Sequence, residues 1–179
     1  SYVTETQVVD TAGKVTGVTR LHADGSLDYT EANAPDGSSV LTYYDTAGRK
    51  TLSAAIAANG DKFTTRLDAK SGAIVDTIAE TATATIQSVY KAGKVETRVT
   101  NDRVKGDRIV ETFDGQGRLT TRATTDAANN WETLRYDVAS GAVSRRFLEN
   151  ADGSGQNFTY TGTGATLVTD WQKYDTSKR

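Results

Sequence analysis

Cysteine and methionine are absent from this 179-residue chain, and histidine occurs once. No disulfide frame, thiolate nucleophile or Cys/His zinc site can be built, and a lone imidazole gives little to a histidine-based triad. Charge of one sign is also missing: 21 basic side chains stand against 23 acidic ones. The basic excess of a nucleic-acid binder is therefore lacking, and the pairs Arg49-Lys50, Arg145-Arg146 and Lys178-Arg179 are too short to supply it. No apolar run reaches the ~18 residues of a membrane helix. An outer-membrane barrel would need unbroken lipid-facing positions, and Thr97, Arg145 and Asp76 interrupt the apolar alternation. Neither nucleic acid nor membrane insertion is expected.

What the chain does hold is 29 threonines and 16 glycines beside a single proline, the composition of strands joined by tight turns. With 36% apolar and 25% charged residues, residues 1–179 are expected to fold as one domain. The chain opens at Ser1 with neither a methionine nor a signal peptide, which reads as a segment of a larger secreted protein, with that protein's other domains as neighbours.

Internal repetition is the strongest signal. Leu21, Tyr44, Leu67, Tyr90, Phe113, Tyr136 and Tyr160 each open a turn, in steps of 23 residues and a last step of 24. A second set of turns falls between them at Gly13, Gly37, Gly60, Gly106, Asn129-Asn130 and Gly153, with one member missing at the TATAT of residues 81–85. Two turns per period leave two stretches of about eight residues, a usual strand length, so the unit is a β-hairpin. At residues 81–85 either a longer strand or a turn of Thr and Ala is expected, and a boundary or bend would fall there.

The predicted fold is all-β, an antiparallel meander of about 14–16 strands. Alternation places Val15, Thr19 and Leu21 on one side, and likewise Leu27 with Tyr29, Val95 with Val99 and Leu119 with Ala123. Lys14, Arg20, Lys94, Glu96, Arg118 and Arg122 take the other side, so one face is expected apolar and one wet. A stripe of Val40, Phe63, Ile86 and Ile109, with Trp131 one residue early, should form the core. To cover it, the sheet is expected to curl into a spiral, a barrel-like form or a strong bend.

YDTAGRKT at 44–51 and FDGQGRLT at 113–120 resemble the YD repeat of rearrangement-hot-spot proteins, teneurins and bacterial wall-associated proteins, whose consensus is Tyr-Asp-x-x-Gly-Arg-Leu-Thr. The copies at Leu21, Leu67 and Tyr90 are degenerate; His22 and Lys91 stand where the Asp would be. The resemblance implies a β-hairpin array that spirals or closes into a shell, and a bacterial, secreted or cell-surface location. Toxin shells of that kind end in an Asp-Pro cleavage segment. Here Ala34 precedes the one proline, Pro35, and a shorter adhesive or polysaccharide-contacting segment fits better.

Tyr43, Trp131, Trp171 and Phe147 are candidate platforms for sugar rings, although Trp131 in the stripe is first a core residue. Tyr43 and Tyr44 must point to opposite faces, and Tyr43 is expected to face solvent as a contact residue. Asn150, Asp152 and Ser154 have part of a calcium loop's spacing but lack the later bidentate Glu, and an Asp-Gly turn explains them. No metal and no cofactor are expected. His22, beside a turn, is expected exposed. Asp28, Glu31, Glu80, Glu96, Glu111 and Glu132 could supply a carboxylate pair for a glycoside-active enzyme, but acids among basic neighbours are usually solvated ion pairs. The leading expectation is a non-catalytic extracellular module that binds a polysaccharide or a cell-surface component. A structural segment of a YD-repeat shell or stalk is the alternative.

Overall fold

In a computed structural model, residues 2–161 and 164–171 are described, with the side chains of residues 4–160. The described residues form fifteen strands and no helix: β1 (Tyr2–Val9), β2 (Val15–His22), β3 (Leu27–Asn33), β4 (Ser39–Tyr44), β5 (Lys50–Ile56), β6 (Lys62–Leu67), β7 (Ile74–Glu80), β8 (Ala84–Lys91), β9 (Lys94–Asp102), β10 (Arg108–Phe113), β11 (Leu119–Thr125), β12 (Trp131–Tyr136), β13 (Val143–Glu149), β14 (Gly155–Thr161) and β15 (Gly164–Trp171). They fall into two units, Ser1–Gly93 with β1–β8 and Lys94–Arg179 with β9–β15. Within each unit every strand pairs antiparallel with its sequence neighbours. The expected all-β meander is what forms.

Local chemistry explains the hairpins. In the turns that begin at Asp10, Asp45, Asp114 and Asp126, the Asp Oδ1 accepts the backbone N–H groups two and four residues on, at 2.8–3.0 Å. In the glycine position of the last of these turns stands Asn129, at φ 62, because Asn tolerates the left-handed region better than other side chains do. At residues 81–84 the turn is built from Thr and Ala: Thr81 Oγ1 accepts the N–H of Ala84 at 3.0 Å and that of Thr83 at 3.3 Å. The division between units falls later, after Gly93.

Register shifts recur with the period, beside Leu21, Tyr44, Leu67, Phe113 and Tyr136. Each marks a bulge where two residues oppose one, and bulges alter which side chains share a face. Arg20 faces Tyr29 while Leu21 faces Leu27, leaving Asp28 extra. Arg20 Nε then donates to Asp28 Oδ2 at 2.8 Å and its guanidinium lies 4.4 Å from the Tyr29 ring centre. Asp28 and Tyr29 therefore share a face, and the expected pairing of Leu27 with Tyr29 on one side is corrected.

Within each unit the main strand contacts run between neighbours in the sheet. The core is thin: Val18, Tyr29 and Ala54 are the buried hydrophobic residues, and no described side chain is fully enclosed. The stripe expected in the core is corrected by exposures of 47% for Val40, 50% for Phe63 and 36% for Ile86. Trp131 is also corrected. It pairs with Thr125 and Glu149 while Ile109 pairs with Thr124, one row away, and a one-residue offset in a strand reverses the face. Its indole is 57% exposed. Tyr90 and Phe113 in the turn row are half-buried.

Apolar and polar residues segregate by cross-strand row. In the first unit one row reads Val8, Gly17, Ala32, Val40, Ala55, Phe63, Ala79 and Ile86 from β1 to β8. Two positions along each strand, and so on the same face, the next reads Thr6, Thr19, Thr30, Thr42, Ser53, Thr65, Thr77 and Ser88. Neither row holds a charge. The pairs Arg20–Asp28, Lys62–Glu80 and Arg66–Asp76 belong to the other face, which also carries the stacked Tyr29 and Tyr43. The expected apolar and wet faces are thus replaced by a face with two uncharged rows and one that carries the ion pairs, each with large apolar side chains.

Candidate functional site

The candidate site lies on one face of the second unit, built from alternate positions of β11–β15. Register puts Arg108, Thr125, Trp131, Glu149, Gly155 and Trp171 in one cross-strand row. Two residues along, on the same face, lie Ala123, Thr133, Phe147 and Asn157. The next row on that face includes Arg135 and Arg145. Trp131, Phe147 and the Trp171 position, named separately from sequence, thus come together on one face. The side chain of Trp171 lies outside the described residues. From β12 to β15 is three strand steps, roughly 14 Å at ~4.8 Å each.

Polar groups cluster in the turn that precedes Trp131. Trp131 follows the turn of residues 126–130, where Asn130 Nδ2 donates to Asp126 Oδ2 at 2.9 Å. Asn130 Oδ1 accepts the N–H of Ala151 from the neighbouring turn at 3.1 Å, so the turns before β12 and before β14 are tied together. The Asn130 hydrogen bonds hold the Asp126 carboxyl below the usual carboxylate range, keeping it an anionic acceptor at neutral pH. Farther along the face, the Arg135 guanidinium sits 5.4 Å from the Phe147 ring centre, a cation–π contact. An exposed flat ring can stack on a sugar face, and polar groups elsewhere on the same face can hydrogen-bond the hydroxyls of a chain that runs along it.

The other expected site residues lie elsewhere. Tyr43 is in the first unit, half-buried, its ring stacked on buried Tyr29 with centres 5.5 Å apart. Expected to face solvent as a contact residue, Tyr43 is instead stacked on Tyr29 through cross-strand pairing and left half-buried. Its other edge helps to wall a hollow of about 300 Å³ with Leu41, Leu52 and Ala54. Asn150, Asp152 and Ser154 form a closed turn, in which Asp152 Oδ1 accepts from the Ser154 N–H at 2.8 Å and Oγ at 2.7 Å, and Asn150 Nδ2 donates to Ser154 Oγ at 2.9 Å. Among the described residues no three acidic or imidazole groups gather as metal ligands. His22, expected exposed, is half-buried with Nε2 3.6 Å from Asp28 Oδ1.

Sequence reasoning missed Arg135, Asn130 and Asp126. The second pair carried a signal, since DAANN at 126–130 follows the same Asp-turn pattern as DTAG. Comparison with protein-family models and with curated proteins gave no match.

Proposed function

We propose that this chain is a non-catalytic module of a bacterial secreted or cell-surface protein that binds a polysaccharide or other surface component through the Trp131 face. The observation that carries this reading is the indole of Trp131, left 57% exposed in a row shared with the Trp171 position. An exposed indole offers a flat amphipathic ring with an apolar face and a polar N–H, the kind of surface on which a sugar ring stacks. The acidic groups that might have served catalysis stand in ion pairs: Glu132 with Arg146 at 2.7 Å, Glu111 with Arg98 at 3.7 Å and Glu80 with Lys62 at 3.8 Å. That commitment supports the non-catalytic reading.

The test is a polysaccharide array followed by titration calorimetry. Trp131→Ala is expected to abolish binding while shifting stability by no more than about 0.5 kcal/mol, as for an exposed residue. Absence of binding to every neutral and acidic polysaccharide would overturn the reading. A second reading, a structural segment of a YD-repeat shell or stalk, draws on the thin core, since no described side chain is fully enclosed. Repeat arrays gain stability from stacked neighbours, and further repeats in the parent chain would favour it.

A further inference from the structure

Sixteen positions on one face of the first unit, in two rows that cross all eight strands, carry no charge, in a chain that is 25% charged. The second unit has one uncharged row, through Val99, Val110, Ala123, Thr133, Phe147 and Asn157, but the rows flanking it on that face carry Arg108 and Glu149 on one side and Arg135 and Arg145 on the other. The uncharged face is also ribbed. Val40, Phe63 and Ile86 on β4, β6 and β8 alternate with Ala32, Ala55 and Ala79 on β3, β5 and β7. Between the ribs, Val40, Ala55, Phe63 and Ala79 line a hollow of about 360 Å³, to which Asp61 and Lys62 also contribute at the start of β6.

We infer that this face is an interface with a second copy of the chain, two copies stacking face to face as a β-sandwich. A two-fold axis along the strands between β5 and β6 seats Phe63 over Ala55 of the other copy, Val40 over Ala79 and Ile86 over Ala32. The hydroxyl rows then face one another, Ser53 with Thr65 and Thr42 with Thr77. Large side chains meet small ones in every pair, which is the self-complementarity a closed two-fold contact requires, and sheets stacked this way interdigitate at ~10 Å.

Charge and area point to the same occupant. A charge near a two-fold axis meets its own copy, and a buried unpaired charge is costly; these rows present none. Under this axis the six strands β3–β8 overlap; at ~4.8 Å spacing and about six residues each they give a face of roughly 570 Å², above the ~500 Å² per partner that a specific interface needs. The Trp131 face belongs to the other unit, so this inference does not depend on polysaccharide binding.

Sedimentation velocity of the full chain over a concentration series tests it, with circular dichroism confirming strand content. The wild type is expected to dimerise. Phe63→Lys and Ala55→Lys, each at an exposed position, are expected to raise the dimer Kd by about 30-fold or more, the loss typical of a central contact. Gln87→Lys, exposed on the opposite face, is expected to leave it unchanged. A wild type that stays monomeric at its highest soluble concentration would overturn the inference. So would a dimer that survives both face substitutions, or a monomer whose neutral-glucan binding Phe63→Lys abolishes.

Discussion

Tyr29 and Tyr43 lie opposite each other on β3 and β4 with ring centres 5.5 Å apart and planes inclined by 23°. The Arg20 guanidinium covers the far side of Tyr29 at 4.4 Å and is itself paired with Asp28. Four side chains from adjacent strands thus make a local core on one face of the sheet.

Removing either ring should loosen that cluster. Tyr43→Ala is expected to cost about 2 kcal/mol, and Tyr29→Ala about 3 kcal/mol, in proportion to burial and to the stacking lost. Urea denaturation of the two variants beside wild type measures it. A cost at Tyr43 within about 0.5 kcal/mol would mean that the ring contributes no packing.

Acid should weaken the turns collectively. The Ser26 hydroxyl lowers the Asp24 carboxyl, the Ser38 hydroxyl Asp36 and the Arg49 guanidinium Asp45, while the Arg118 backbone N–H lowers Asp114 and the Asn130 side chain Asp126. Folded values below the unfolded value give stability that is complete above the ordinary Asp value of about 3.9 and lost as pH falls through the folded values. Tm is therefore expected to be level from neutral pH to about 5 and to fall below about 4. Asp45→Asn and Asp114→Asn together should make that fall shallower, and a Tm unchanged down to pH 2 would contradict the role given to these turns.

Two non-glycine residues hold left-handed backbone, Ala92 at φ 50 and Asn129 at φ 62. Ala92→Gly should stabilise by up to about 1 kcal/mol by relieving the Cβ clash, and Asn129→Ala should destabilise by a similar amount. Thermal denaturation of both variants gives the signs directly.

Chelation should leave the fold unchanged, because the Asp152 carboxylate is committed to Ser154 within its own turn. A melt with EDTA and one with added calcium are expected to coincide. A fall restored by calcium would instead make that turn a metal loop.

The hairpin unit, its two turns and the missing glycine at residues 81–85 were legible because each is written in contiguous residues. Asp capping its own turn and Gly or Asn turning left-handed are local events. Face assignments were less legible. Trp131 looked aligned with Ile109, yet one residue of offset put it in another row. Leu27 and Tyr29 looked like neighbours on one face until the bulge at Asp28 intervened. Pairing register depends on the partner strand as well as on the strand itself.

The order of residues alone was enough for an antiparallel meander with a 23-residue period, since turns fix which strands are neighbours and strand length follows from their spacing. It also placed Asn129 where a turn needs a left-handed residue. Tertiary structure decided what those strands face. Recurrent bulges shifted register once per repeat, gathered Tyr29, Tyr43, Arg20 and Asp28 on one side, and left Val40, Phe63 and Ile86 open on the other. Burial depends on whether a second layer arrives, a long-range event that no alternation of apolar and polar residues within one strand can encode.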